Sequence, residues 1–166
     1  MSDIRAALAQ LYRREAEIAI TDVDIRGQNY TRAIEKVWPL MPPSRVVVTD
    51  TPCFVHLLPD SQANIGSAMV SSDFVVNVQL VVEDADADIA CEIALAFYPQ
   101  IVEKLKLERK LGLSGWMLRA LRTEGDFLRL FEEYSQTAGR TLVGLDLYLD
   151  MNFTGSSNNA GGTPPP

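Results

Sequence analysis

The sequence has few of the residues from which catalytic and metal sites are usually built. Its 166 residues include one histidine, His56, and two cysteines, Cys53 and Cys91. His56 has no CxxC or HxxxH partner, so we interpret it as a strand residue rather than a zinc ligand. Apolar residues flank each cysteine, which favours buried free thiols over a disulfide or a metal pair. No nucleophile elbow, phosphate-binding glycine loop or HExxH motif occurs. We therefore predict a protein that is not an enzyme, without catalytic residues, metal or cofactor.

Long hydrophobic runs are also missing. No apolar stretch reaches the length of a membrane span, and the first residues, MSDIRAALAQ, lack the layout of a signal peptide. We expect a protein made in a cytoplasm. With 47% apolar and 22% charged residues, the chain has the composition of an ordinary globular domain. We predict a single domain over residues 1–153, followed by a disordered tail over 154–166, which is rich in Gly, Ser, Asn and Pro.

Basic residues are absent from the middle third of the chain. Residues 51–100 carry seven acids and no Lys or Arg, which accounts for the whole net charge of −7. A protein that holds DNA by its phosphates would have the opposite sign. We interpret the acids as one negative strip that either faces a basic partner, repels nucleic acid, or is a solvated surface. The candidate strip consists of Asp73, Glu83, Asp84, Asp86, Asp88 and Glu92.

The stretch VVEDADADIACEI, residues 81–93, has the alternating aspartates of a calcium loop. Such a loop needs a glycine at its sixth position and a glutamate at its twelfth. Counted from Asp84, these positions hold Ile89 and Leu95, so the calcium interpretation fails. We interpret EDADAD instead as a turn and helix N-cap.

Two amphipathic helices are predicted. Apolar residues at helical spacing follow Ser2 or Asp3, either of which can cap, and predict a short helix that ends near Arg14. A longer helix is predicted over 86–110, with acids in its first turn and cations in its last, as the helix dipole favours. Pro99 lies inside this segment, so we expect it to kink or split the helix.

Strands are predicted elsewhere from alternation. Residues 74–83 and 141–153 alternate cleanly between apolar and polar side chains. The segments 116–123 and 126–131 are also strand-like with a turn between them, although FLRLFEEY is compatible with a helix. We predict two extended pieces in 46–58 and a polar, flexible connection in DSQANIGSA. Nearer the N-terminus, AEIAITDVDIRG is predicted as a strand or irregular structure, and NYTRAIEKVW as a helical turn or two. Together these elements predict an α+β fold, with an antiparallel sheet of four to five strands packed against one long and one short helix.

The order of these elements resembles the tail-terminator proteins of long-tailed bacteriophages, also called tail-completion or head-to-tail joining proteins. The resemblance covers roughly residues 3–153 and is carried by three stretches, 74–83, 88–111 and 140–153, rather than by an invariant motif. It implies a homo-oligomeric ring, hexameric in this family, that caps the tail tube, stops its polymerisation and joins the tail to a head-side connector or stopper protein. DNA would pass through without specific binding. The protein would be assembled in the host cytoplasm and reside in the virion.

Alternative functions remain open at this point. A tail-tube subunit or a connector stopper is another ring-forming virion protein with a similar layout, and a small enzyme or ligand-binding domain is a further alternative. For the subunit interface we single out the strand pair 116–131, because ring protomers commonly join through exposed strand edges. Its aromatic and apolar residues belong either to that interface or to the core of the monomer: Trp116, Met117, Phe127 and Phe131.

Overall fold

A computed structural model describes residues 4–39, 50–56, 60–65, 69–107, 109, 111–123, 128–130 and 141–156. The two helices are α1 (Ile4–Glu15) and α2 (Ala87–Leu107). The strands before α2 are β1 (Ala19–Ile25), β2 (Gln28–Ala33), β3 (Lys36–Trp38), β4 (Cys53–His56), β5 (Asp60–Ile65) and β6 (Met69–Asp84). Those after it are β7 (Trp116–Arg122), β8 (Leu128–Leu130) and β9 (Thr141–Ser156).

The main sheet is built on β6 and β9, which pair antiparallel without interruption from Met69↔Ser156 to Asp84↔Thr141. Its strand order is β3-β4-β6-β9-β7, with β5 also on β6 and β8 also on β9. Every pairing in this sheet is antiparallel except that of β3 with β4. The predicted α+β class is therefore confirmed, and the five-strand path is extended by two short strands.

Helix α2 covers one face of the main sheet, and the core lies between them. The alternating residues of β6 and β9 that were predicted to share a face are buried there, among them Val78, Leu80, Leu145 and Leu147. We call this side the helix-covered face and the other side the open face. A smaller apolar cluster on the open face contains Cys53, Val55, Val81 and Leu142.

Helix α2 confirms the predicted position of the long helix but not its division. It continues as one helix past Pro99, which is exposed. A proline lacks one backbone donor, and at an exposed position the carbonyl that loses its partner faces solvent. The apolar stripe that packs on the sheet is therefore kept on both sides of the proline, with Ile93 and Phe97 before it and Ile101 and Leu105 after it.

The predicted helical turn in residues 29–38 is replaced by the strands β2 and β3. β1 and β2 form a separate two-stranded sheet, so the helical turn predicted in NYTRAIEKVW is wrong. The hairpin is set by Arg26 and Gly27, whose φ angles of 53° and 81° suit a two-residue turn between Ile25 and Gln28. Asp24 Oδ1 accepts a 2.8 Å hydrogen bond from Gly27 N and closes that turn.

Three further predictions are corrected by strand pairing. DSQANIGSA was predicted as a flexible connection, but its first six residues form β5 and pair with β6 from Val70 to Val75. β7 and β8 do not form a hairpin, because both pair antiparallel with β9 and follow each other along its edge. β9 itself continues to Ser156, so residues 154–156 belong to the sheet and not to the tail.

The β6–β9 ribbon is longer than the helix that covers it. Each strand has 16 residues and α2 has 21. At the usual rises these correspond to about 53 Å of strand and about 32 Å of helix. We call residues 69–75 and 150–156 the distal ribbon. β5 pairs with its β6 strand and the start of β7 with its β9 strand.

Candidate functional site

The first candidate surface is the acidic end of α2, which we define as Asp84, Asp86, Asp88 and Glu92. Asp86 is the N-cap, because its Oδ1 accepts hydrogen bonds from Asp88 N at 2.9 Å and Ile89 N at 3.3 Å. Asp84 Oδ1 accepts one from Asp86 N at 2.9 Å. The capping role predicted for EDADAD is thus confirmed. Within the described ranges, no group of three or more acids, histidines or cysteines is arranged to hold a metal ion.

A cation from another part of the chain lies against this acidic end. Arg26, in the β1–β2 turn, places Nε 2.8 Å from Glu92 Oε1 and Nη2 3.6 Å from Asp88 Oδ2. The hydrogen bond to Glu92 raises the pKa of Arg26, and the charges of Glu92 and Asp88 act in the same direction. Residues 51–100 contain no Lys or Arg, so only folding brings a cation next to these carboxylates.

The six carboxylates predicted as one strip are not all together. Asp73 lies on β6 ten residues before Glu83, at a separation of about 33 Å along the strand. Its Oδ1 accepts a 2.7 Å hydrogen bond from Asn152 and lies 3.8 Å from Arg119 Nη1. Asp73 therefore belongs to the distal ribbon, and Glu83 follows it at the other end of the same strand, next to Asp84.

The predicted interface residues also separate. Trp116 is only 4% exposed and packs between Phe74 and Phe153, with ring centroids 5.4 and 5.1 Å away. It belongs to the core of the monomer, which was one of the two alternatives. Met117, on the open face, is 39% exposed and available for contact. Phe127 and Phe131 lie outside the described residues.

A glycine fixes the approach of the chain to Trp116. Gly115 has a φ of 80°, and a Cβ there would lie 2.6 Å from the carbonyl oxygen of Thr154. Its own carbonyl accepts a 2.9 Å hydrogen bond from Thr154 N. The loop after α2 is therefore held tightly against the distal ribbon, which was not visible from sequence beyond the expectation of an extended stretch.

The second candidate surface is a groove of about 330 Å³ between the last turns of α2 and β7. We call it the basic groove. Its walls include the apolar side chains of Val102, Leu118 and Leu121. The cations that line it are Lys106, Arg109 and Arg119. The register of β7 on β9 shifts between Leu118 and Ala120, which leaves Arg119 as the extra residue of a bulge. From the sequence, Lys106 and Arg109 were related only to the helix dipole, and Arg119 only to a strand-like segment.

A charged pair is buried on the helix-covered face, between α1 and β4. His56 Nε2 lies 2.7 Å from Glu15 Oε2, and both side chains are at most 1% exposed. The contact is an ion pair when the imidazole is protonated. His56 Nδ1 lies 2.7 Å from the carbonyl oxygen of Trp38. Because both ring nitrogens face acceptors, the arrangement favours the charged imidazolium.

The pKa values around this pair follow from burial and charge. Burial lowers the pKa of His56, but the Glu15 carboxylate and the Trp38 carbonyl outweigh it, and the net direction is upward. Burial, assisted by the charge of Glu15, raises the pKa of Tyr12 to about 12, and the Tyr12 ring packs 4.5 Å from that of His56. The prediction that His56 is a strand residue is confirmed. Closed from solvent, the pair positions α1 rather than contacting a substrate.

Both cysteines are free thiols, as predicted. Cys53 is fully buried and Cys91 half-buried. Burial raises the pKa of Cys53 to about 12, so its thiol stays protonated and unreactive at neutral pH. Burial and the charge of Asp88 also raise the pKa of Cys91, so its thiol is not activated either.

No model of a protein family matches the chain, and no curated protein matches it significantly. Within the described part of the chain, neither helix is both long and apolar enough to cross a membrane. The described residues present three features on which a function can rest. These are the acidic end of α2, the basic groove at the other end of the same helix, and the β6–β9 ribbon, which is longer than the helix.

Proposed function

We propose that the protein is a structural component of a bacteriophage tail. In this proposal it assembles into a ring, hexameric in the family that it resembles, that caps the tail tube, stops its polymerisation and joins the tail to the head connector. DNA would pass through the ring without specific binding. The sequence resemblance supplies the identity of the assembly. The long β6–β9 ribbon is the single structural observation that supports it best.

The ribbon supports a ring because it is longer than α2 and gives each protomer an extended open face. The ribbon is about 53 Å long against about 32 Å for α2. Polar side chains on its open face form a cross-strand set in which Asn152 donates to Ser71 Oγ at 3.1 Å and to Asp73. A long, continuously hydrogen-bonded ribbon presents an extended surface, which suits contact between neighbouring protomers of a ring.

Electron microscopy of particles from a phage that lacks this gene tests the proposal. We expect overlong, irregular tails that fail to join heads, and we expect purified protein to restore a uniform tail length. Tails of normal length on filled heads would contradict a terminator role. Heads without tails would favour a tube subunit or a connector stopper. A tube subunit would also stack into open-ended tubes after purification, whereas a terminator would stop at a closed ring.

The interface proposed on the strands of residues 116–131 has its own test at Met117. Met117→Glu places a charge on an exposed side chain of the open face, so the monomer should stay folded while ring formation weakens. Analytical ultracentrifugation measures the assembly state, and thermal unfolding measures the fold. Gln100→Glu, at an exposed position of α2 outside the basic groove, is a comparison variant with the same change in charge. A Met117→Glu ring that is as stable as the wild type would remove this edge from the interface.

A further inference from the structure

The basic groove combines an apolar wall with cations. Val102 in its wall is 36% exposed, and Lys106 and Arg109 line it near the end of α2. Among the described residues, no carboxylate lies within ion-pair distance of Lys106 or Arg109, whereas Lys104 pairs with Glu17 at 2.6 Å. Arg119 also lines the groove, but its guanidinium lies 3.8 Å from Asp73 on the open face. The positive charge that the groove presents is therefore that of Lys106 and Arg109, which no described carboxylate neutralises.

The matching negative surface is on the same helix but at its opposite end. The acidic end of α2 carries four carboxylates, against which the described residues place one cation, Arg26. Asp88 is 77% exposed. About 32 Å of rigid helix separates this end from the groove, so the two surfaces cannot meet within one molecule. Complementary surfaces at different places on one chain are what head-to-tail association requires.

We propose that the basic groove receives the acidic end of α2 from a second copy of this chain. Lys106 and Arg109 would face Asp84, Asp88 and Glu92 of the neighbour, with the apolar wall excluding water from the contact. Successive copies would then join head to tail, and the chain of contacts closes where the rotation between copies allows it. This inference rests on the proposed ring and specifies which surfaces form it.

Charge reversal tests the contact on both sides. One variant carries Lys106→Glu and Arg109→Glu, and the other carries Asp88→Lys and Glu92→Lys. None of these four side chains is the N-cap, which is left in place at Asp86. Each variant alone juxtaposes like charges, so the concentration needed for assembly should rise by roughly a hundredfold or more in sedimentation experiments. Raising the salt concentration should weaken the wild-type ring in the same direction.

Mixing the two variants gives the decisive measurement. In an equimolar mixture, the reversed groove of one variant meets the reversed helix end of the other, and the two unreversed surfaces also match. Alternating rings should therefore form from two proteins that are each monomeric alone. A single chain with all four changes should likewise assemble with itself. This recovery also shows that the variants are folded.

A matched control separates a specific contact from total charge. Arg32→Glu with Lys36→Glu, on β2 and β3 away from both surfaces, changes the net charge as much as the groove variant does and should leave assembly unchanged. Rings that persist in both reversed variants, or a mixture that stays monomeric, would overturn the inference while leaving the proposed ring intact. A wild-type protein that is monomeric at every concentration would overturn the inference as well. Tail length in the gene-deletion phage then decides the terminator role separately.

If the acidic end lines the channel instead, the outcome differs. Asp88→Lys with Glu92→Lys would then leave the ring intact and impair infectivity through contact with the passing DNA. Intact rings of this variant overturn the groove contact even when infectivity falls. The two placements of the acidic end are thus distinguished by one variant with two readouts.

Discussion

Two kinds of charged contact hold this fold together, and they differ in burial. Glu15 and His56 meet at 2.7 Å inside the protein, whereas Arg26 and Glu92 meet at 2.8 Å on its surface. The distances are nearly equal, but the consequences are not. A buried charge that loses its partner is left without water, while an exposed one is solvated again. We infer that the inner pair fixes α1 on the sheet, and that the outer charges remain available for contact with other molecules.

Removal of one member of the buried pair should have the largest effect on stability. Glu15→Ala leaves the His56 imidazole facing an empty space between α1 and β4. We expect it to lower the free energy of unfolding by about 3–5 kcal/mol, the range for breaking a buried ion pair. Urea unfolding measures this change. Glu17→Ala, which removes an exposed partner of Lys104, is the matched control and should be far milder. Equal losses in the two variants would contradict the role of burial.

The pH dependence of stability should follow His56. Its pKa is raised in the folded protein, so its stabilising contribution is full below the ordinary histidine pKa and is lost as pH rises through the folded value. We expect the free energy of unfolding to fall as the pH rises from the ordinary histidine pKa through the raised pKa of His56 in the folded protein. His56→Gln cannot titrate and should lose this component of the pH profile. A profile identical to the wild type would show that another group is responsible.

The N-cap of α2 is an intermediate case, because it is exposed but makes directed hydrogen bonds. Asp86→Ala removes the acceptor for Asp88 N and Ile89 N. A loss of about 1 kcal/mol in the free energy of unfolding is expected for a helix cap. Asp86→Asn retains an acceptor oxygen and should recover most of it. If Asn were as unfavourable as Ala, the negative charge rather than the hydrogen bonds would be the cause.

The smallest effect is expected at the surface pair. Arg26→Ala frees Asp88 and Glu92 to be solvated, so the unfolding midpoint should change little, and less at high salt than at low salt. Thermal unfolding at two salt concentrations measures this. Since Arg26 also occupies a turn position with a φ of 53°, Arg26→Asn is the better comparison for backbone effects. A large loss of thermal stability that does not depend on salt would show instead that Arg26 stabilises the fold as the buried Glu15–His56 pair does.

The elements that could be predicted from the sequence are those in which apolar residues recur at a regular spacing and so indicate the buried face. Val78 and Leu80 on β6, Leu145 and Leu147 on β9, and Ile93 and Phe97 on α2 are buried on the faces that their spacing indicated. The β1–β2 hairpin was not recognised, because its signal is the backbone conformation of Arg26 and Gly27. The partners of β5, β7 and β8 depend on pairing with strands distant in the chain, which local alternation does not specify.

The candidate surfaces were predicted only in part for the same reason. The acids of α2 and their capping role are local and were recognised. Arg26 and Glu92 are 66 residues apart, and Asp73 and Glu83 lie ten residues apart on one strand. The basic groove is lined by Lys106 and Arg109 near the end of α2 and by Leu118 and Leu121 on β7. Contacts of this kind are set by tertiary packing, and a charge count along the chain does not report them.

The uninterrupted register of β6 and β9 restricts how this protein can change in length. Because side chains alternate between faces, a one-residue insertion in either strand would turn every later apolar residue outward. Only paired insertions of two residues, one pair in each strand, keep the pattern, and each such step lengthens the ribbon by about 7 Å. The edge formed by β7 and β8 already contains a bulge and a break, so it can absorb single insertions. Relatives of this chain should therefore differ in the length of this ribbon by steps of two residues per strand. In β7 and β8 they can differ by any number of inserted residues.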